Sequence, residues 1–246
     1  MRFGKFAVSM LLQALVMGMH TYTEVFPQQN RAPIPDIRQS DYGSRLSSVN
    51  GVMLWWCDAT RKVGLNRRPP ERSLTDGMVC SAARGEYEPM QLVIRSPRPL
   101  QNLRVSVSAL QHKNGYRILS KFIRIHKVTY VKVHTPSDAL GAPGYWPDPL
   151  PLLDQPIHIP DNKNQPLWVL IQVPENIPAG DYRGSVRLQA AGWQDEVPVL
   201  LHVWNFTLPA HTHIKTSFGF HPALIKKYHH IKNEKDYQMV LDTYYR

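Results

Sequence analysis

Residues 165–209 constrain the fold more than any other stretch, because they contain three apolar runs separated by two turns. In the first run, residues 167–173, every second residue is apolar, which is the period of a β-strand, and Pro174 ends the run. The second run, residues 182–189, has one apolar face and one polar face. The third run, residues 197–206, is apolar on both faces, which predicts a strand covered on both sides. The three runs together predict a β-meander that packs against a second sheet.

Composition favours a mostly β fold. The chain has 246 residues, of which 43% are hydrophobic and 20% charged, so it can bury a sizeable core and belongs to the globular class. Its 21 prolines outnumber its 14 glycines, and many stand at the ends of apolar runs, as expected of short strands joined by stiff turns. The predicted architecture is a two-sheet antiparallel β-sandwich over residues 51–209.

The net charge of +10 raises the question of a nucleic-acid partner. The basic residues are scattered over alternating strand positions, and no recognised nucleic-acid motif accompanies them. A solvated basic surface explains the charge, so we expect no nucleic-acid partner.

The first 20 residues are typical of a signal peptide. Arg2 and Lys5 form a basic start, and the apolar run at residues 6–19 is too short to span a bilayer. We expect a protein that is secreted, periplasmic or on the cell surface, without stable membrane insertion once the signal is cleaved. The alternative is a basic, peripheral start to a cytosolic protein. Residues 21–50 carry three prolines and no periodicity, which predicts a flexible leader.

The pattern changes after Pro209. Residues 214–220 are strand-like, and Asn233 is a candidate N-cap for a helix whose apolar residues fall at helical spacing. A strand followed by a helix opens a β/α unit. Because the sequence stops inside this helix, we interpret residues 210–246 as a domain that is begun and not finished.

A proline-rich segment, residues 136–166, contains the best candidates for ligand contact. Loops this long in a compact domain are usually functional or mobile, and this one is too apolar to be simply mobile. Tyr145 and Trp146 have flat aromatic faces that could stack on sugar rings, and Asp148 could add hydrogen bonds. The alternative, which we favour, is that the tryptophan in its proline clamp WPDP is a rigid element that packs against a neighbouring domain.

The cysteines and histidines point to no cofactor. Cys57 and Cys80 could form a disulfide in an exported protein, but both lie in apolar contexts that suit a buried free thiol equally well. Five histidines lie near the C-terminus, but no carboxylate or cysteine completes a spacing that would bind zinc. These are His211, His213, His221, His229 and His230. We expect no metal and no cofactor.

Three charged residues alternate along one predicted strand: Arg84, Glu86 and Glu88. Such a set could grip a sugar through hydrogen bonds. An ion-pair cluster at a sheet edge or a domain interface is the simpler interpretation.

Five linked segments of the chain resemble one known family. They are LWWCDATRKV, AARGEYEPMQLVI, GYWPDPLPLL, NQPLWVLIQVPENIPAGDYRGSV and LHVWNFTLP. In this order and at these spacings they are similar to the N-terminal β-sandwich of bacterial glycoside hydrolase family 123 and of related proteins with domain of unknown function 4091. The resemblance implies that a (β/α)8 barrel follows the sandwich and hydrolyses N-acetylgalactosaminides, so that residues 210–246 would begin an incomplete barrel. It also implies an adjacent Asp-Glu pair in that barrel, with the Glu as general acid and the Asp steadying the acetamido group of the substrate.

The chain is too short to hold the implied catalytic domain. A barrel needs about 250 residues, and 37 residues follow Pro209. The one adjacent Asp-Glu pair in the sequence, Asp195 and Glu196, lies in a hairpin where neighbours point to opposite faces, so we do not interpret it as the catalytic pair.

We therefore predict the non-catalytic N-terminal module of an exported glycoside-hydrolase-like protein, inactive alone. Its expected partner is a glycan, bound through the missing barrel or weakly through the sandwich. The alternatives are a stand-alone carbohydrate-binding module, and a structural or adhesive surface domain.

Overall fold

The structure, a computed structural model, describes residues 38, 41–71, 74–137, 141–211, 214–215, 219 and 221–244. The predicted signal peptide and most of the predicted leader lie outside these residues. The strands, in chain order, are β1 (Ser44–Leu46), β2 (Met53–Asp58), β3 (Leu74–Thr75), β4 (Met78–Arg84), β5 (Tyr87–Arg95), β6 (Leu100–Val107), β7 (Leu110–His112), β8 (Arg117–Ile118), β9 (Ile123–Lys127), β10 (Tyr130–Val133), β11 (Gly144–Pro147), β12 (Ile157–Ile159), β13 (Asn164–Gln172), β14 (Gly180–Ala190) and β15 (Trp193–Thr207). The helices are α1 (Pro222–Tyr228) and α2 (Glu234–Tyr244), and a 3-10 turn covers Ser120–Phe122. Neither of these two described helices is long and apolar enough to cross a membrane.

Two large sheets form a β-sandwich-like arrangement, which confirms the predicted mostly β fold. In sheet A the strand order is β3-β1-β2-β5-β13-β9. In sheet B it is β12-β6-β14-β15-β4, with β7 beside β14 and β8 beside β7. Strands β10 and β11 form a separate two-stranded ribbon.

One hydrophobic core joins the inner faces of the two sheets. Leu54, Leu92 and Leu167 of sheet A are fully buried, as are Tyr182 and Leu201 of sheet B. Because each large apolar side chain contributes about 1.5–3 kcal/mol when it is fully buried, this core is the main source of the stability of the sandwich.

The three strands predicted in residues 165–209 are present as β13, β14 and β15, but the predicted meander is wrong. β14 and β15 form a hairpin with continuous antiparallel pairing, whereas β13 pairs with β5 and β9 in the opposite sheet. The turn between β13 and β14 therefore carries the chain across the sandwich. Alternation shows which side chains of a strand face inward, and it does not show which sheet the strand joins.

The predicted sheets were wholly antiparallel, and this is wrong at two places. β4 runs parallel to β15, and β1 runs parallel to β3. A tight hairpin forces antiparallel pairing, but strands joined by long connections are free to pair in parallel. The long chain between β4 and β15 provides such a connection.

The outer face of β15 is covered less than its pattern predicts. Leu200 and His202 are partly buried, but Trp204 is 48% exposed and Phe206 is 55% exposed. The expectation that this strand is covered on both sides is therefore wrong for its second half.

The ordered sandwich begins before residue 51, so the predicted leader is wrong in its last residues. β1 pairs with β2 in sheet A. Tyr42 joins Trp55, Cys57, Val63 and Val93 in a second, small apolar cluster. Residues of the leader thus complete the fold.

The chain from Ile123 to Val133 forms two strands rather than one continuous strand. β9 lies in sheet A, and β10 pairs with β11 in the separate ribbon. The side chain of Gln165 donates to the carbonyl of Val128 over 3.0 Å, at the point where the chain leaves sheet A. This bond anchors the bend between the two strands.

The predicted helix after Asn233 is confirmed as α2. The amide of Asp236 donates to the side-chain oxygen of Asn233 over 2.9 Å, which is the N-cap bond that the sequence predicted. The strand predicted at residues 214–220 lies largely outside the described residues, and the three that are described, 214, 215 and 219, are in no strand. Helix α1 precedes α2 and was not predicted.

Candidate functional site

The predicted aromatic site lies on the ribbon of β10 and β11. Trp146 is partly buried, and its indole N–H donates to the carbonyl of Ala142 over 2.5 Å. The guanidinium carbon of Arg38 lies 4.5 Å from the centre of the indole ring. Arg38 also donates to the carbonyls of Pro143 and Tyr145, so it clamps the strand that carries the tryptophan. One face of the ring is therefore occupied by a cation of the same chain.

The other two predicted contact residues do not converge with Trp146. Tyr145 is the neighbour of Trp146 in β11, so its side chain lies on the opposite face of the ribbon, where it is 48% exposed beside Lys132. Asp148 is exposed, and its backbone N–H donates to the carbonyl of Thr129. These three side chains thus do not form one pocket in the structure.

A groove that the sequence did not reveal lies at one end of sheet B. It has a volume of about 900 Å³ and is lined by residues 111–114, 178–181, 183 and 202. We name it the histidine groove. Its walls come from the β7–β8 turn, from the segment that crosses between the sheets, and from the outer faces of β14 and β15.

A carboxylate and an imidazole face each other across two strands of the groove. Asp181 of β14 lies opposite His202 of β15, and the carboxylate accepts a hydrogen bond from Nδ1 over 2.7 Å. This hydrogen bond is the main reason that the pKa of Asp181 is lower than usual, and the charges of His202, Arg183 and His112 add to the effect. Three basic side chains therefore lie close to one acidic side chain.

The second imidazole of the groove, that of His112, is held by its surroundings. It is 7% exposed, and its ring centre lies 5.1 Å from the ring centre of Tyr182. Its Nδ1 accepts from the backbone N–H of Asn114, so Nε2 is the nitrogen that carries the hydrogen of the neutral ring. Nε2 forms no hydrogen bond within the described part of the chain.

Gly180 makes room for this imidazole. A Cβ at position 180 would lie 2.7 Å from Nε2 of His112, and the φ of +128° lies in a region that side chains rarely adopt. The hydroxyl of Tyr182 donates to the carbonyl of Pro178 over 2.8 Å, which holds the crossing segment against the same ring. The position of the His112 imidazole in the groove is therefore fixed by the backbone at Gly180 and by contact with Tyr182.

Two permanent cations line the groove, and one indole lies beside it. Lys113 and Arg183 are exposed, and their side chains form no ion pair or hydrogen bond with another described residue. The indole of Trp204 meets the imidazole of His202 edge-on, with ring centres 4.6 Å apart. These residues come from three distant segments, and each segment looks like an ordinary turn or strand in the sequence. The one available signal was the polar His202 on an otherwise apolar strand face.

Cys57 and Cys80 are free thiols, so the disulfide that they could have formed is absent from the structure. Cys57 lies in β2 of sheet A and Cys80 in β4 of sheet B. Burial is the main reason that the pKa of each thiol is raised to about 12. Both therefore match the free-thiol alternative, with Cys57 buried and Cys80 partly buried.

The charged residues of the β4–β5 turn do not form an ion-pair cluster among themselves in the described structure. Arg84 donates to the hydroxyl of Thr207 and to the side-chain oxygen of Asn205, both at the end of β15. Glu86 accepts from the backbone N–H of Ala83 over 2.6 Å. Burial, followed by the charge of Glu86, raises the pKa of Glu88. The prediction of mutual ion pairs is wrong, and these contacts hold the sheet edge instead.

Asp195 and Glu196 lie in β15 rather than in a solvated turn before it. Glu196 accepts from the hydroxyl of Ser185 over 2.5 Å and pairs with Arg187 at 3.1 Å. The hydrogen bond from Ser185 is the main reason that the pKa of Glu196 is lower than usual. These contacts hold the ionised carboxylate of Glu196 across the β14–β15 hairpin, where it stabilises the sheet.

The histidines near the C-terminus form no metal site among the described residues. No group of three or more His, Cys, Asp or Glu side chains in the described segments could hold an ion, and His213 lies outside those segments. His229 instead bonds to the hydroxyl of Tyr244 over 3.0 Å, which ties the end of α1 to α2.

Several solved structures match parts of this chain. A family 123 glycoside hydrolase from Clostridium perfringens, studied for glycolipid glycan hydrolysis, superposes with a TM-score of 0.51 at 21% identity, over 66% of this chain and 30% of that one. The chain therefore spans less than a third of the length of that protein. MyfA, the major subunit of Myf fimbriae from Yersinia enterocolitica, matches in complex with galactose over 52% of this chain and 93% of its own, at 12% identity and a TM-score of 0.30. The CooA pilin subunit from enterotoxigenic Escherichia coli matches over 63% and 99%, at 13% identity and a TM-score of 0.31.

Family membership rests on the sequence match. No curated protein matches the chain. The model of the glycoside hydrolase 123 N-terminal domain matches residues 64–190, which are just over half of the chain and run from the loop before β3 to the end of β14. This match confirms the predicted resemblance to family 123, while the relation to domain of unknown function 4091 stays a prediction. The chain therefore belongs to the glycoside hydrolase 123 N-terminal domain family.

Proposed function

We propose that this chain is the non-catalytic β-sandwich module of an exported bacterial glycoside-hydrolase-like protein. The observation that carries the proposal is the family match over residues 64–190, all of which precede β15. A sandwich domain of this family lies at the N-terminal side of its protein. The core and hairpins of the sandwich have a structural role. The catalytic step belongs to a domain beyond residue 246.

The change of character after Pro209 supports a following domain of another type. β15 is the last strand among the described residues, and α1 and α2 come after it. We propose that residues 210–246 begin the (β/α)8 barrel that the resemblance implies, and that the barrel acts on N-acetylgalactosaminides. The Clostridium perfringens protein is described as acting on glycolipid glycans, which agrees with such a substrate.

Export is the third part of the proposal. Arg2, Lys5 and the apolar residues 6–19 support a signal peptide, and the basic surface of the sandwich would then face the outside of the cytoplasm. Mass spectrometry of the protein recovered from the culture medium or periplasm would give the mature N-terminus. An intact Met1 in a cytosolic fraction would contradict export.

Hydrolysis of p-nitrophenyl N-acetyl-β-galactosaminide tests the catalytic assignment. The 246-residue chain should release no nitrophenol above the rate without protein, and a longer chain read from the gene beyond Arg246 should release it. If the 246-residue chain is active and the Glu196→Gln variant is not, the non-catalytic assignment is wrong. An Arg187→Gln variant is the matched control, because it breaks the same ion pair without removing the carboxylate.

A stand-alone carbohydrate-binding module is the second candidate, and the exposure of Tyr145 favours it. Tyr145→Ala should then abolish retention on immobilised glycans and leave the thermal midpoint unchanged. Trp146→Ala should also lower the thermal midpoint, because it removes the contact between the indole and Arg38. The two variants together separate glycan binding by the ribbon from its role in stability. A structural or adhesive domain would retain no glycan in any variant.

A further inference from the structure

We propose that the histidine groove binds an anionic sugar, one that carries a carboxylate or a sulfate group. This inference does not depend on a catalytic barrel. It rests on four features of the described residues: two cations without an ion-pair partner, a buried donor, a volume of about 900 Å³, and an exposed indole beside the groove.

The charge of the groove favours an anion. Lys113 and Arg183 project from its rim without an ion-pair partner among the described residues. The one carboxylate of the lining, Asp181, already accepts a hydrogen bond from His202 at 2.7 Å. Because a guanidinium presents paired N–H donors that match a carboxylate or a sulfate, Arg183 is the residue that would hold the anionic group.

The buried donor gives the groove a fixed polar point. The imidazole of His112 is more than nine-tenths buried, with Nδ1 occupied by the amide of Asn114 and Nε2 on the side of Gly180. Ring orientation is set by Tyr182 and by the missing side chain at position 180. Nε2 can therefore donate to a ligand oxygen with little loss of side-chain freedom.

An exposed indole beside the groove distinguishes a sugar from a bare ion. Trp204 lies outside the lining itself, but it contacts the lining residue His202, and 48% of its surface is exposed. Sugar rings have apolar faces that stack on indole, whereas inorganic sulfate or phosphate gains nothing from it. The volume is at the upper end of the range of about 300–1,000 Å³ that is usual for small-ligand sites, which suits a short oligosaccharide.

A nucleic acid fits the groove less well. Its binding requires a track of cations that follows successive phosphates, but the groove is lined by two permanent cations and by the carboxylate of Asp181. The charge pattern thus suits one or two anionic groups rather than a polyphosphate chain.

Isothermal titration of the full chain with defined tetrasaccharides tests the proposal. The probes are tetragalacturonate, a chondroitin sulfate tetrasaccharide and neutral galactotetraose, at one salt concentration. At least one acidic probe should bind, and galactotetraose should bind at least about tenfold more weakly, as expected when a charge-assisted hydrogen bond is lost. A Lys113→Gln/Arg183→Gln variant should lower the affinity for the acidic probe by about tenfold or more.

The matched control removes two exposed charges from elsewhere. Lys121→Gln/Arg124→Gln alters the start of β9 in sheet A and should leave the affinity unchanged. Trp204→Ala should weaken binding of the tetrasaccharide, with the fold checked by circular dichroism.

Four results would overturn the proposal. They are no binding of either acidic probe, equal binding of the neutral probe, equal loss in both double variants, and tighter binding of a single-stranded oligonucleotide with the same dependence on Lys113 and Arg183. The third result would show attraction by the overall net charge, and the fourth would identify a nucleic-acid site. None of them bears on the hydrolysis assay, so the two proposals fail separately.

Discussion

Replacing Gly43 with alanine should lower the free energy of unfolding by about 3 kcal/mol, although position 43 lies in a segment whose sequence predicts a flexible leader. The φ of Gly43 is +91°, and a Cβ there would lie 2.8 Å from the carbonyl oxygen of Trp56 and 2.9 Å from Cε3 of Trp55. Neither neighbour can easily move away, because one is backbone of a paired strand and the other is a fully buried ring.

The magnitude is the sum of three effects. A side chain in the left-handed region costs about 1–2 kcal/mol. Forcing an extra methyl group into a packed site adds about 1–3 kcal/mol. The loss of backbone freedom in the unfolded chain offsets about 0.4–1 kcal/mol of this. The net value centres on about 3 kcal/mol.

Gly115→Ala is the control, because it shares the backbone conformation without the contacts. Its φ is +86°, and nothing lies within 4 Å of the added Cβ. It should lower the free energy of unfolding by about 1 kcal/mol, measured like Gly43→Ala by urea denaturation followed by circular dichroism. If the two variants lose equal stability, residues 41–46 do not pack on the sandwich as described.

Two further predictions concern buried side chains. Arg67 is 4% exposed, and its guanidinium lies close to the faces of two aromatic rings, so Arg67→Lys should lower the free energy of unfolding by about 2 kcal/mol. The half-exposed Arg61 lies farther from one of these rings, at 5.4 Å, so Arg61→Lys should change the free energy of unfolding by less than about 0.5 kcal/mol. Equal effects would contradict the stacking argument. Cys57 and Cys80 should resist Ellman's reagent at pH 8 until the chain is unfolded, since their pKa values of about 12 leave almost no thiolate. Unfolded thiols ionise near their ordinary pKa of 9.0, so the unfolded state loses protons first and the contribution of both groups to stability falls as the pH rises from about 9 to 12. Rapid labelling of the native protein would be inconsistent with such burial. So would a urea midpoint of the wild type that rises over this pH range relative to that of a variant with both cysteines replaced by alanine.

The sequence was sufficient to predict the strands whose two faces differ in polarity. β14 alternates between buried and exposed residues except at Ser185, which is also buried, and its hairpin with β15 follows from the short turn at Gly192. The partner sheet of β13 was not predictable, because Trp168 and Leu170 on its outer face are nearly as apolar as its core residues. Apolar residues on both faces indicate a covered strand without indicating what covers it.

The candidate sites depended on contacts between distant segments, which local patterns cannot show. Arg38 clamps Trp146 from a segment with no periodicity, 108 positions earlier in the chain. In the histidine groove, His112 meets Gly180 through the crossing between the sheets, and that crossing was itself predicted wrongly. An error in strand order therefore hid the site.

The parallel pairing of β4 with β15 also sets the order in which the molecule can fold. β4 is made early in synthesis, but residues 199–207, which supply its hydrogen bonds, are made more than a hundred residues later. Until they arrive, β4 has no neighbour in sheet B and β14 has no hairpin partner. Contacts between such distant residues slow folding, because a long loop must close before they form. Sheet B is therefore completed only after residues 199–207 have been made, whereas β1, β2 and β5 of sheet A can pair much earlier.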